Sequence, residues 1–297
     1  MKKKSILLLA VLVIACTLAK AQAMKPVIIA GRVINLGPKS PQTIKFNFCN
    51  PLIDGSITAS LDSSGKFNVR QDMLYTQNMT FFYAVSFVNI YVQPGDSIFL
   101  TIDAAKLNKP KFGWLNISGS HARVSTQLNL LADTLYRLNS SDINLEQSPT
   151  DVLASIKADY TRYMRAADEY NANHKLDPIV IAWAKRDLKF VIANATGRYP
   201  DMRGISAAEK LSRLKMYTDP FFDIYNADNF QSMYFCSDLI NYGNSLVSTG
   251  KSVIELATQN KLSQSLKKAV SHLLKEPPGD ARDLLIYHQI KRYARQT

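Results

Sequence analysis

The apolar pattern of this chain changes period once, near residue 121, and that change limits the fold more than any single motif does. Before it, apolar residues recur every second position. Ile44, Phe46 and Phe48 alternate with Lys45 and Asn47, and Ile57, Ala59 and Leu61 alternate again. Such alternation buries one face of a strand and wets the other. Val27-Ile28-Ile29-Ala30, leading through Gly31 to Val33-Ile34-Asn35, and residues 66–69, 81–86, 89–93, 97–103 and 112–118 read as further strands. Turn signals separate them: residues 36–41, Asn50-Pro51, Asp54-Gly55 and Asp62-Ser63-Ser64-Gly65. After residue 121 the spacing is that of helices. Val152, Ile156, Tyr160, Tyr163, Ala167 and Tyr170 step by fours and threes behind Pro149 and Asp151, which suit a first helical turn. Asp177-Pro178 opens another helix, with Val180, Trp183, Ala184, Leu188 and Val191 on its buried side. Phe221, Ile224, Phe230, Tyr234 and Leu239 mark an aromatic helical stretch, and Leu262, Leu266, Ala269, Val270 and Leu273 a further stripe. Pro277-Pro278-Gly279-Asp280 ends that helix and caps a last one over residues 281–294. Strands first and helices afterwards predict an α+β chain: an antiparallel β-sandwich or small barrel over residues 24–118, then an all-α helical domain over residues 119–297.

One turn in the first half is specified more tightly than the rest. In Ile90-Tyr91-Val92-Gln93-Pro94-Gly95-Asp96-Ser97-Ile98, proline fixes φ at the first central position and glycine accepts the positive φ that a type II turn needs at the second. The flanking apolar runs make this a tight β–turn–β hairpin.

The first 23 residues read as a targeting segment. Lys2, Lys3 and Lys4 precede an apolar run over residues 6–15, and Ala21-Gln22-Ala23 is a small-x-small cleavage site, placing the mature start at Met24. Val13-Ile14-Ala15 before Cys16 fits a loose lipobox, but the apolar Thr17-Leu18-Ala19 in place of a polar tether favours cleavage over lipidation. The apolar run is short for an uncleaved bilayer anchor. The expected location is the periplasm or cell envelope of a bacterium, with membrane proximity through Cys16 if the chain is lipidated. The net charge of +12 falls to +8 without the leader's four lysines. The basic residues are scattered over solvated faces, and no nucleic-acid motif is present.

Chemical candidates are few. The cysteines are Cys16, Cys49 and Cys236, and no two are separated by two residues, so the sequence holds no C-x-x-C redox centre and no thiolate zinc cluster. Cys49 and Cys236 are expected as buried free thiols, with a single disulfide between them the alternative in an oxidising compartment. His121, His174, His272 and His288 show no metal spacing. His174 and Asp177 sit at a helix boundary, Ser120 reads as an N-cap before His121, and Asp168-Glu169 as a solvated face. Nucleophile-elbow, P-loop and dinucleotide motifs are missing. No catalytic, cofactor-binding or metal residue is therefore assigned. The aromatics Phe81, Phe82, Tyr83, Phe87 and Tyr91 in the first half, and Tyr217, Phe221, Phe222, Tyr225, Phe230, Tyr234 and Phe235 in the second, are expected mainly in cores. Met73-Leu74-Tyr75 with Asn78-Met79 is a candidate exposed patch.

Four motifs in order carry a family resemblance: Ile29-Ala30-Gly31-Arg32-Val33-Ile34-Asn35, Leu61-Asp62-Ser63-Ser64-Gly65-Lys66-Phe67, Val92-Gln93-Pro94-Gly95-Asp96-Ser97-Ile98, and Ile117-Ser118-Gly119-Ser120. Together they resemble the N-terminal accessory region of envelope thioredoxin-like thiol–disulfide oxidoreductases of the TlpA/ResA type. The helical half, including Ala281-Arg282-Asp283-Leu284, is more loosely similar to that family's connecting helices. In that family a thioredoxin domain with Trp-Cys-x-x-Cys would follow, and this sequence has no residue onto which that redox role carries. The resemblance implies a non-catalytic envelope protein that recognises a thioredoxin-like domain, protein or peptide. Two alternatives stay open: an incomplete fragment of such an oxidoreductase, and a protein binding a small molecule or glycan between its halves.

Overall fold

The computed structural model describes residues 24–48, 56–73, 75–107, 113–138, 147–196, 215–232, 234–236 and 282–287, and the single positions 212, 239 and 279. The expected leader, Cys49, the 262–273 stripe and most of the final helix lie outside these residues. An N-terminal strand-rich region of two four-stranded sheets precedes a helical region. The strands are β1 (Lys25–Ile34), β2 (Thr43–Phe48), β3 (Ser56–Ser60), β4 (Lys66–Met73), β5 (Gln77–Tyr83), β6 (Ser86–Val92), β7 (Ser97–Asp103) and β8 (Leu115–Gly119). One sheet has the order β4-β1-β7-β8 and the other β3-β2-β5-β6. They do not close, which removes the barrel alternative.

Two features correct the sequence reading. The arms of the Pro94-Gly95 turn belong to different sheets: β6 pairs with β5, and β7 with β1 and β8. The unit is an arch between sheets and not a hairpin. Consequently β7 returns beside β1 in parallel, with Ile28 opposite Ser97 and Ile34 opposite Asp103, so the first sheet is mixed and not wholly antiparallel. The turn residues specify only the reversal of direction, and that reversal serves a hairpin and an arch equally.

The alternation works as expected. Val27, Ile29 and Val33 of β1, Ile44 and Phe46 of β2, Met79 and Phe81 of β5, and Ile98, Leu100 and Ile102 of β7 face a single core. Phe46 of one sheet meets Phe67 of the other at 5.9 Å between ring centroids. Gly31 makes room for this. A Cβ there would lie 2.2 Å from the Leu100 carbonyl oxygen and 2.6 Å from Cζ of Phe67, its partner across β1 and β4.

The helical region holds α1 (Ala122–Tyr136), α2 (Pro149–His174) and α3 (Pro178–Thr196). Ser148 caps α2, its hydroxyl accepting from the Asp151 amide, with Pro149 in the first turn. Asp177 accepts from the Ile179 amide at the start of α3. Val152, Ile156, Tyr163 and Ala167 of α2 are buried with Val180, Trp183, Ala184 and Leu188 of α3. Val191, expected on the buried side, is only half-buried, while Phe190 and Ile192 are buried. The aromatic stretch after residue 215 departs from expectation. The departure is in its first part, which winds into two short 3-10 helices, Lys215–Thr218 and Ala227–Gln231, whereas residues 234–236 and 239 are α-helical as expected. Asp219 and Asn226 accept from the amides of Phe221 and Asp228, side-chain turns that compete with helical bonding. Residues 282–287 are helical, within the span expected for the last helix.

Candidate functional site

The functional side chains that the fold brings together lie where β6, the arch and the helical region meet. The arch is closed by a hydrogen bond from the Asp96 amide to the Gln93 carbonyl at 3.0 Å, with Gly95 at φ +98°. The Asp96 carboxylate accepts from the Gln93 amide at 2.7 Å, and its carbonyl accepts from Ile28 N–H, tying the arch to β1. The same carboxylate oxygen lies 3.1 Å from Nδ1 of His121, which precedes α1 in the left-handed region at φ 52°. Tyr91 presents its ring edge-to-face to His121, with centroids 5.4 Å apart, and its hydroxyl accepts from the Gln93 amide side chain. The imidazole and the carboxylate thus pair directly across the arch. The neighbouring hydroxyls are committed elsewhere: Ser120 accepts from the Ser97 amide, and Ser125 from the Tyr91 amide. The pair therefore works as a latch holding the arch to α1. Ser120, expected as an N-cap, bonds β7 instead.

Beside the latch, α1 completes the open edge of β6. The Asn129 side-chain amide accepts from the Asn89 N–H at 3.0 Å and donates to the Asn89 carbonyl, and Ser125, one turn earlier, accepts from Tyr91 N–H at 3.1 Å. A helix face thus supplies the donors and acceptors a neighbouring strand would give. The helical region packs directly on the sheets, with Tyr91 of β6 buried in the helical core.

A third group surrounds α3. Trp183 and Asp187 are one turn apart, so they share a face, and both are buried. Burial raises the Asp187 carboxyl to about 6, opposed by a hydrogen bond from Ser232 and the charge of Arg186. Burial also lowers Arg186, against the attraction of Asp187, Asp228 and Tyr91. Burial, and then the Asp187 charge, raise Tyr234. Among the described residues, Oδ1 of Asp187, Nε1 of Trp183, Nε of Arg186 and, on β5 opposite Tyr91, Oδ1 of Asn78 have no hydrogen-bond partner. This seam can hold a proton near neutral pH in a dry setting. Sequence periodicity missed it because it counts apolar positions. The available signal was a carboxylate at position 187, four residues after Trp183, on the face predicted to be buried.

The other candidates resolve as follows. Asp168 and Glu169 are exposed on α2. His174 stacks on Tyr170 at 3.8 Å and is exposed at the helix end. Cys236 is a buried free thiol whose Sγ lies 3.8 Å from the Phe230 carbonyl. Of the expected patch, Met73, Asn78 and Met79 are buried, Tyr75 is half-buried and stacked on Phe230, and Leu74 lies outside the described residues. Among the described residues the exposed aromatics are instead Phe82, Phe87, Phe99 and Tyr287, of which Phe82 and Phe87 are cross-strand neighbours. Among the described residues no group of three or more His, Cys, Asp or Glu side chains could hold a metal ion, and no helix is long and apolar enough to cross a membrane. No protein-family model matches this chain, and no curated protein matches it.

Proposed function

We propose that this chain is a non-catalytic recognition module of the bacterial envelope, a β-sandwich with a docked helical domain. In this reading it corresponds to the accessory region of a TlpA/ResA-type thioredoxin-like oxidoreductase. It receives a thioredoxin-like domain or an extended peptide from one. The four turn motifs support the lineage, and the contrast between the two edges of the second sheet supports the binding role. The β6 edge is occupied by Ser125 and Asn129. At the other edge lies β3, Ser-Ile-Thr-Ala-Ser, uncharged and largely exposed. Among the described residues nothing hydrogen-bonds along its outer side. Charges, prolines and bulges are the usual protections of such an edge, and their lack suits strand addition by a peptide.

The test combines binding and chemistry. A separately produced thioredoxin-like domain carrying Trp-Cys-x-x-Cys is added, and amide hydrogen exchange is followed. The expected result is slowed exchange at the amides of β3. Protection confined to other strands overturns the edge assignment. Thiol-dependent insulin reduction by this chain alone overturns the non-catalytic reading. An in-frame Trp-Cys-x-x-Cys shortly beyond codon 297 of the gene would assign the chain to a longer oxidoreductase.

A further inference from the structure

We propose that the end of the sheets opposite the helical region is a docking tip for an anionic lipid surface. The tip is the β5–β6 hairpin. Its two-residue turn, Ala84-Val85, places Ala84 at φ 54° and leaves Val85 88% exposed. Directly behind, Phe82 and Phe87 are cross-strand partners with ring centroids 6.2 Å apart, and they are 37% and 58% exposed. Burial along the outer face of β6 then rises towards the helices, from Phe87 through half-buried Asn89 to Tyr91 at 5%. Helix α1 bonds to Asn89 and Tyr91 farther along the strand, and the apolar side chains of the tip lie beyond that covered stretch.

The loops beside the hairpin share this end. The Tyr83 hydroxyl donates to the Pro41 carbonyl, the Leu61 amide donates to the Gln42 carbonyl, and the exposed Leu36 approaches the turn at Gly65. The charges here are one-sided. Arg32, Lys39, Lys45 and Lys66 are all exposed. Arg32 and Lys66 stand directly opposite each other across β1 and β4, a like-charge pair that costs stability in the isolated protein. Lys45 lies beside Phe82 in register. The two carboxylates at this end are engaged: Asp62 by the Ser64 and Lys66 amides and the Ser64 hydroxyl, Asp103 by Lys106 and Asn35. A convex apolar tip ringed by cations matches an interface where apolar groups enter the acyl boundary and cations meet phosphates. A protein partner would favour a pocket into which its own anchor fits, and the tip offers a protrusion instead. An anionic surface also relieves the repulsion between Arg32 and Lys66.

The test places a reporter at the tip of the whole chain. Val85→Trp is mixed with vesicles of phosphatidylcholine, with and without phosphatidylglycerol, using the unsubstituted protein as blank. The expected result is a blue-shifted Trp emission, quenched by brominated acyl chains, on the phosphatidylglycerol vesicles and weakened by salt. Because the signal comes from position 85, apolar residues 6–15 do not mimic it. Lys45→Glu with Lys39→Glu, made on the Val85→Trp chain, is expected to lower the vesicle affinity at least about tenfold. The circular dichroism should be unchanged. An emission unmoved by either vesicle overturns the proposal. So does a blue shift that follows protein concentration, or one produced by a soluble envelope glycan, in the absence of lipid.

Discussion

The core between the sheets and the core of the helical region are closed by different means. Between the sheets the lining is apolar except for Gln77, buried on the same face of β5 as Met79 and Phe81, and ionisable groups are held at the ends: Asp96 in the arch and Asp103 beside Lys106. The helical core takes a carboxylate into its middle, at Asp187, with the Trp183 indole nitrogen also without a partner among the described residues. The difference follows from the two geometries. A strand sends alternate residues to opposite sides, so a polar residue shifts to solvent with no change in the pattern. A helix such as α3, covered on several sides, has few wet positions left, and a polar residue there must be accommodated inside. The sheet core should therefore fail by loss of packing, and the helical core by titration.

Packing loss gives the largest expected effect. Phe46 touches Phe67 and Phe81, with centroids at 5.9 and 6.1 Å, and is fully buried. Phe46→Ala should cost about 3–5 kcal/mol in urea unfolding, nearly independent of pH. A cost that changes strongly with pH would break the contrast between the cores.

Titration comes next, with a defined sign. The Asp187 carboxyl rises to about 6 in the fold, above its ordinary range near 4 in the unfolded chain. Its contribution is therefore complete below about pH 4 and is lost as pH rises through 6, a penalty of about 3 kcal/mol at most. Asp187→Asn removes that penalty. The variant should gain on the parent between pH 4 and pH 8 by up to this amount in paired urea titrations, and a constant difference would remove Asp187 from this role. Asp103 acts in the opposite direction. Lys106 first, then Asn35, hold its carboxyl below the usual range, so its stabilisation fades on acidification. Acid should loosen that end of the sheets while relieving the helical core.

Much of this division is legible in the residues, and the illegible parts have a common cause. The alternation of Ile44, Phe46 and Phe48 and the stripe Val152, Ile156, Tyr163, Ala167 record short-range geometry, and both hold in the fold. Pairing between distant segments leaves weaker marks. Pro94-Gly95 dictates a reversal over four residues, while membership of two sheets is decided by where β7 finds β1. The available hint was Ile90-Tyr91-Val92, three consecutive apolar residues, all buried, because the end of β6 is covered on both faces. The candidate site was less legible still. His121 meets Asp96 across 25 positions, and Asn129 meets Asn89 across 40, contacts that no local period encodes. Asp187 stood out only as a polar residue on a predicted buried face, and Asn129 lies on a helix, Ala122–Tyr136, for which the sequence reading predicts no stripe.

The junction between the two cores supplies the smaller predictions. Asn129→Leu keeps the volume but leaves the Asn89 N–H and C=O along β6 unpaired. We expect a loss of about 2 kcal/mol, with faster hydrogen exchange at the Asn89 amide. If the amide stays protected, another group closes that edge and helix–strand mimicry is not what joins the halves.

Gly95→Ala should have the smallest effect, because the two causes that make a glycine necessary are separated here. At Gly31 the obstacle is space, with Leu100 and Phe67 already occupying the position of a Cβ. At Gly95 a Cβ would meet only Lys25 Cδ at 3.6 Å, ordinary contact, so what remains is the backbone conformation at φ +98°. That strain amounts to about 1 kcal/mol for an L residue. The arch is held by Asp96, whose carboxylate and carbonyl reach Gln93, His121 and Ile28, so the reversal should persist with alanine in place. Urea unfolding of Gly95→Ala should therefore lose about 1 kcal/mol with an unchanged denaturant slope. A much larger loss, or a lower slope, would mean that the turn conformation itself, and not the Asp96 latch, decides which sheet β7 joins.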